Sequence, residues 1–193
     1  MESILRRSYK HRYRLHIAAF FSTAAMVAPI APSYKVNVDG VVFSQSCQAG
    51  VGVVIRDNEG EVIAALSKQI HQPLGPLEIE AKAMETGVSF AWDVGIREVI
   101  FECDSKIISD ALLGLCTPPM IISNILARVS LKFQDFGLAQ VSHVRRQGNR
   151  LAHILTKHAK DIVNSNNFVT WIEENPSLIE SAIAHNVLNL SSS

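Results

Sequence analysis

Cysteine is scarce in this 193-residue chain: only Cys47, Cys103 and Cys116 occur. An odd number without metal-ligand spacing excludes a disulfide scaffold and a thiolate metal site, and fits reduced, buried thiols. Aromatic residues amount to 7%, and Trp92 and Trp171 stand isolated, so there is no aromatic platform on which bases would stack. Trp92 reads as helix packing. Long hydrophobic runs are missing too. The apolar stretch from Ile17 to Ala31 contains Pro29 and is too short for a membrane span. There is no internal repeat and no low-complexity tract. The formal net charge is zero, which argues against a general nucleic-acid coat protein.

What is present is enough for a real core: 48% apolar and 19% charged residues suit one globular domain with tails. The zero net charge hides a pattern. Residues 1–33 hold five Arg/Lys and one acid. Residues 76–110 carry eight acids and three bases, whereas 141–160 carry five bases and no acid. A mildly acidic body with one basic strip can bind a polyanion locally, above all if its acids hold divalent cations. Residues 1–33 form a basic and then apolar leader, read either as a cleaved presequence, mitochondrial or secretory, or as a disordered or loosely docked segment. The expected location is nucleus or cytoplasm, or an organelle such as the mitochondrion if the leader is a presequence. Residues 34–161 form the domain, and 162–193 read as a polar tail with at most a short helix.

Hydrophobic periodicity divides the domain. YKVNVDGVVF alternates as a strand from Tyr34, GVGVVIRD follows as a second, and the Asp57-Asn58-Glu59-Gly60 turn returns the chain into EVIAALSKQI. The period then becomes helical from Leu77 to Val94, with Ile79, Ala83, Val88 and Ala91 on one face. Arg97–Glu102 is a short buried strand. KIISDALLG and MIISNILARVSLKFQDF are helices, LAQVSHVRR is a strand, and GNRLAHILTKHAKDI is the last helix. The order β-β-β-α-β-α-α-β-α implies an α/β fold: a five-stranded mixed sheet, three antiparallel strands then two parallel additions, flanked by helices.

Three acids stand where chemistry is plausible. Asp39 lies inside the first strand and shares a face with Asn37, opposite Val36 and Val38. Glu80 lies near the start of the long helix, and Asp104 ends the fourth strand. Carboxylates converging at strand ends and helix starts make a hard oxygen cluster of the kind Mg2+ requires. Plainer readings stand beside this one: Asp104-Ser105 as a helix N-cap, Glu80 as a favourable helix-dipole charge. Asp57 and Glu102 read as structural.

In order and spacing, KVNVDG, GVGVVIRDNEGEVIAA, EIEAKAMETGVSFAWDVG, VIFECDSKII and VSHVRRQGNRLAHILTKHA resemble the type 1 ribonuclease H family, particularly its plant branch related to the domain attached to reverse transcriptases. The resemblance spans about residues 34–161. It implies a ribonuclease H-like fold and hydrolysis of the RNA strand of an RNA–DNA hybrid, leaving a 3′-hydroxyl and a 5′-phosphate. The ions it implies are two Mg2+, with Mn2+ as a substitute. Asp39, Glu80 and Asp104 correspond to three of the family's metal-binding carboxylates. It implies no organic cofactor, and a monomer is expected.

The fourth carboxylate of the family lies four residues after a recurrent asparagine. Here that asparagine is Asn149, and His153 stands in the carboxylate's place. Imidazole offers one neutral nitrogen instead of a charged oxygen pair and suits Mg2+ poorly, so the second ion position is expected to be weakened. A surface histidine is the alternative. Asn149, Arg145, Arg146 and Arg150 are candidates to contact a nucleic-acid backbone, since arginine forks match phosphates. His143 has a suitable offset for the histidine that active members carry on a flexible loop, but its alternating surroundings place it in a strand. Two functions follow: a metal-dependent hybrid ribonuclease weakened by His153, or a non-catalytic nucleic-acid-binding or adaptor domain derived from that fold. A remnant of a mobile-element protein is a third.

Overall fold

The computed structural model describes residues 34–163, 165–180 and 182, so the expectations for the leader 1–33 lie outside the described residues. Six strands form one sheet: β1 (Tyr34–Phe43), β2 (Gln48–Arg56), β3 (Val62–Ile70), β4 (Glu98–Cys103), β5 (Leu138–His143) and β6 (Phe168–Ile172). Their order is β5-β4-β1-β2-β3-β6. β1, β2 and β3 run antiparallel in sequence, while β4 joins β1 and β5 joins β4 in parallel. That is the mixed sheet expected from the pattern, with β6 as a sixth strand where five were expected. The helices are α1 (Pro76–Asp93), α2 (Lys106–Leu112), α3 (Met120–Lys132) and α4 (Arg150–His158).

Local chemistry accounts for the element ends. The Asp57 carboxylate accepts the N–H groups of Glu59 and Glu61, each at 2.9 Å, and Gly60 takes φ +91°, which closes the β2–β3 hairpin. Pro76 opens α1 in the first helical position, and the Glu78 carboxylate accepts the Gly75 N–H at 2.8 Å. Trp92 packs edge-on to Phe136 with ring centroids 5.5 Å apart, beneath the Arg97 guanidinium at 3.6 Å. The helix-packing reading of Trp92 agrees with this.

One sheet face carries the larger core, in which Val36, Val38, Val53 and Phe101 meet Ile79, Met84 and Val88 of α1 and Ile122 and Leu126 of α3. The other face meets α4: Leu151 and Leu155 pack with Val54, Ala65 and, from a helical turn at 177–180 and residue 182, Ile179 and Ala182. This second layer extends past the domain end expected at residue 161. β6 pairs antiparallel with β3, and Ile179 is fully buried, so part of the expected tail belongs to the sheet and its cover. FVTWI is short, alternates between exposed and half-buried positions, and is flanked by polar residues, so its signal as a strand lies in pairing with β3. Two of the three thiols also depart from expectation. Cys103 is buried and raised to about 11 by burial, but Cys47 and Cys116 are exposed. Among the described residues no helix is long and apolar enough to cross a membrane.

Two glycines set how closely the helices approach the sheet. A Cβ on Gly40 would meet the Ile79 carbonyl oxygen at 2.7 Å, and one on Gly52 would run into the Ala152 carbonyl and the Thr156 N–H. The first contact lowers the start of α1 onto β1, and the second lowers α4 onto β2. Because the neighbours are backbone, Gly52→Ala is expected to cost about 1–3 kcal/mol through displacement of α4. Urea unfolding checks this; an unchanged midpoint would show that α4 yields freely.

Candidate functional site

The strand alternation that buries Val36 and Val38 under α1 turns Asn37 and Asp39 to the opposite face, towards α4. β4 lies parallel to β1, with Asn37 opposite Glu102, so Asp104 emerges beside Asp39 just past the end of β4. The close approach at Gly40 brings Glu80, one residue beyond Ile79, to the same point. Asp39, Glu80 and Asp104 each offer a carboxylate oxygen, all within 4.8 Å of one another. The three acids singled out from sequence therefore converge. Ser105 is the N-cap residue of α2, and its side chain makes no capping hydrogen bond.

The cluster is electrostatically loaded. Burial pushes the Glu80 carboxyl up to about 8, reinforced by the charges of Asp39 and Asp104 and partly opposed by Arg146. Burial also raises Asp39; the His153 hydrogen bond opposes the shift and the Asp104 charge adds to it. Glu80 Oε2 is buried without a hydrogen-bond partner.

His153 faces the cluster. Its Nδ1 lies 2.8 Å from Asp39 Oδ2, with the histidine side chain 28% exposed and the aspartate 5%. The Thr156 hydroxyl stands 3.2 Å from the same Oδ2 and 2.7 Å from the Ala152 carbonyl, between which it shares its single proton. Asn149 is 1% exposed, and its NH2 donates to the Val38 carbonyl at 2.8 Å and to Asp104 Oδ1 at 3.4 Å. Its amide is thus committed inside the fold, whereas sequence reasoning had it facing a nucleic-acid backbone.

Beside the carboxylates lies an open cleft of about 470 Å³ lined by Glu80, Asp104, Ser105, His143, Val144, Arg145 and Arg146. Arg146 Nε is 3.7 Å from Asp104 Oδ2 on a side chain that is otherwise exposed. Arg145 and Arg150 are exposed as well. His143 is the last residue of β5, with Nε2 3.3 Å from the Asp104 carbonyl oxygen, and only a short 3-10 turn (Arg146–Asn149) leads from there to α4. It is a strand residue at the cleft rim.

Residues 37–159 match the family described as reverse transcriptase-like. The chain belongs to that family. Its domain is ribonuclease H-like. It is 29% identical over 133 residues to "Putative ribonuclease H protein" of Arabidopsis thaliana, covering 69% of this chain and 21% of that protein. It is 30% identical over 90 residues to the E3 ubiquitin-protein ligase RSL1 of the same plant, covering 45% of this chain and 23% of that protein. The chain thus spans about a fifth of the length of these curated relatives. Among solved structures, RNase H1 of the archaeon Halobacterium salinarum superposes with a TM-score of 0.63 at 22% identity, over 67% of this chain and 98% of that one. LC11-RNase H1 in complex with an RNA/DNA hybrid gives 0.61 at 21% identity, over 67% and 97%. At these identities the superpositions establish the fold.

From sequence, Asn37, Arg56 and Thr156 carried no role in the ribonuclease H-like domain. Asn37 had one available signal, its shared parity with Asp39; Thr156 had another, its place three residues after His153 on one helix.

The raised Glu80 value gives a pH dependence. Folded, the carboxyl titrates near 8 instead of 4.5, so the folded state holds a proton that the unfolded chain has already released. The stability this contributes is full below about pH 4.5 and is lost as pH rises towards about 8. Glu80→Gln cannot ionise, so its cation-free melting temperature should exceed the parent's clearly at alkaline pH and by much less at acidic pH. Thermal melts in EDTA at the two pH values check this, and an equal difference at both would contradict it.

Proposed function

We propose that the domain binds RNA–DNA hybrid and hydrolyses its RNA strand by metal-assisted phosphodiester cleavage, leaving a 3′-hydroxyl and a 5′-phosphate. The observation that carries this reading is the convergence of Asp39, Glu80 and Asp104 with Glu80 Oε2 buried and unpartnered. A cluster of hard oxygens that repel one another, one of them without a donor, fits Mg2+ or Mn2+ in its chemistry. In such a site divalent ions supply activation of a water and stabilisation of the attacking and leaving oxygens of an in-line displacement.

The chain's own residues would divide the remaining tasks. Asp39, Glu80 and Asp104 hold the cations. Arg145, Arg146 and Arg150 place the phosphate backbone, Arg146 by exchanging its long contact with Asp104 for a phosphate. Asn149 would reach a backbone only by giving up its bond to Asp104, so the phosphate contacts fall to the arginines. His143 stands at the rim, where it can approach a bound strand.

His153 limits this machinery. Asp39 Oδ2 already meets the imidazole and the Thr156 hydroxyl, which leaves Oδ1 as its free ligand atom. With one oxygen so occupied, Asp39 would serve a second ion poorly, and that position would be weakened. The same contact supports a second reading, a hybrid-binding domain without cleavage.

A labelled RNA–DNA hybrid incubated with Mg2+ or Mn2+ separates the readings. Cleavage is expected with the parent chain and should fall to background in Asp39→Asn and Asp104→Asn. Salt-sensitive binding without cleavage would establish the binding domain instead. His153→Asp should raise the Mg2+-supported rate. Full Mg2+ activity in the parent with no gain in the variant would remove His153 as the limiting group.

A further inference from the structure

Two residues behind the carboxylates, on the same sheet face, lies a buried polar group outside the proposed hydrolysis. Asn37 precedes Asp39 by two positions on β1, as Glu102 precedes Asp104 on β4, and the two pair in register. Asn37 is 1% exposed and Glu102 is 8% exposed. Arg56, from the end of β2, donates through Nη2 to Asn37 Oδ1 at 2.6 Å and lies 3.8 Å from Glu102 Oε2. Lys35 Nζ is 3.5 Å from Glu102 Oε1. Asn37 Nδ2 in turn donates to Glu102 Oε2 at 3.0 Å and to Asn149 Oδ1 at 3.3 Å.

Donor and acceptor identities give this chain a direction. A guanidinium has only donors and a carboxylate only acceptors, so the Asn37 amide has one satisfactory orientation: oxygen to Arg56, nitrogen to Glu102 and Asn149. Asn149 receives that nitrogen on its oxygen and must turn its own NH2 to the Val38 carbonyl and Asp104 Oδ1. A flipped Asn149 would set an oxygen against both. Arg56 takes its place in the chain at a cost, since its Nε is buried without a partner.

We infer that Asn37, locked by Arg56 and Glu102, is a positioning residue that orients the Asn149 amide so that a donor meets Asp104. The inference rests on the reading of Asp39, Glu80 and Asp104 as a cation site. Asn37 touches neither cation nor substrate; it acts through Asn149.

Mn2+ binding to the full chain, followed by the loss of the free-ion EPR signal, tests this without reference to cleavage. Asn37→Leu, close in size but without donor or acceptor, is expected to weaken Mn2+ binding about tenfold or more, as loss of a ligand's supporting partner does. Asn149→Ala should weaken it similarly, and the double variant should be no worse than Asn149→Ala, because both act through one path. Asn37→Asp is the sharper case. It keeps the Arg56 contact and adds a negative charge that would by itself strengthen cation binding, yet it has no donor for Asn149, and weaker binding is expected. In the unmodified chain, the Asn149 side-chain NH2 signals should persist in D2O after those of exposed asparagines have exchanged. Variant affinities within twofold of the parent, additive losses in the double variant, or rapid exchange at Asn149 would each overturn the relay while leaving the cation site standing. A parent chain that binds no Mn2+ would overturn the site itself, and the relay with it.

Discussion

Like charge held at close range is the constraint on which the site depends. Three carboxylates with oxygens within 4.8 Å repel one another when ionised, and the packing of β1, β4 and α1 holds them together. Valines on one face of β1 lock it under α1, Gly40 lets α1 descend until Glu80 reaches Asp39, and parallel pairing with β4 fixes Asp104 alongside. Without a cation the strain is relieved locally. Burial first, and then the Asp39 and Asp104 charges, shift Glu80 upward, while Arg146 approaches Asp104 and an imidazole sits on Asp39.

The last helix supplies most of the control. α4 lies on the sheet closely enough that the Ala152 carbonyl and the Thr156 N–H reach the place a Cβ on Gly52 would occupy. From that seat it brings His153 and Thr156 to Asp39, while the turn before it carries Asn149 to Asp104 and Arg146 to the cleft. Ser67 in β3 donates to the Leu155 carbonyl at 2.8 Å and meets His158 Nδ1 at 3.1 Å, so the C-terminal half of α4 is tied to the strand that also pairs with β6. The packing of α4 and the geometry of the carboxylates are therefore one mechanical problem.

Much of this was legible in sequence because it is written in local periods. The alternation of YKVNVDG placed Val36 and Val38 in the core and Asp39 on the far face, and the helical spacing of Ile79, Ala83 and Val88 placed Glu80 near the start of α1. β6 was not legible. Its five residues gain their stability from β3, a hundred positions earlier at Lys68↔Phe168, and no local pattern encodes that pairing. The direction of Asn149 was hidden for a similar reason. Its position four residues before His153 suggested a cleft, but whether its amide faces solvent or Asp104 is decided by Asn37 and Arg56 on other strands.

The site that results is lopsided, and the asymmetry bears on function more than the count of carboxylates does. On the α1 side, Glu80 Oε2 is buried and unpartnered, so a cation that arrives there displaces no hydrogen bond to the protein, only the proton that burial keeps on the carboxyl up to about pH 8. On the α4 side, Asp39 Oδ2 already sits 2.8 Å from an imidazole nitrogen and 3.2 Å from a hydroxyl, and a cation there must displace them. The two halves thus differ in the cost of occupancy before any difference in ligand charge is considered. On the proposed correspondence of His153 with the family's fourth carboxylate, the histidine does more than remove a ligand. It supplies a partner that occupies part of Asp39, while Glu80 Oε2 in the other half of the proposed site has none.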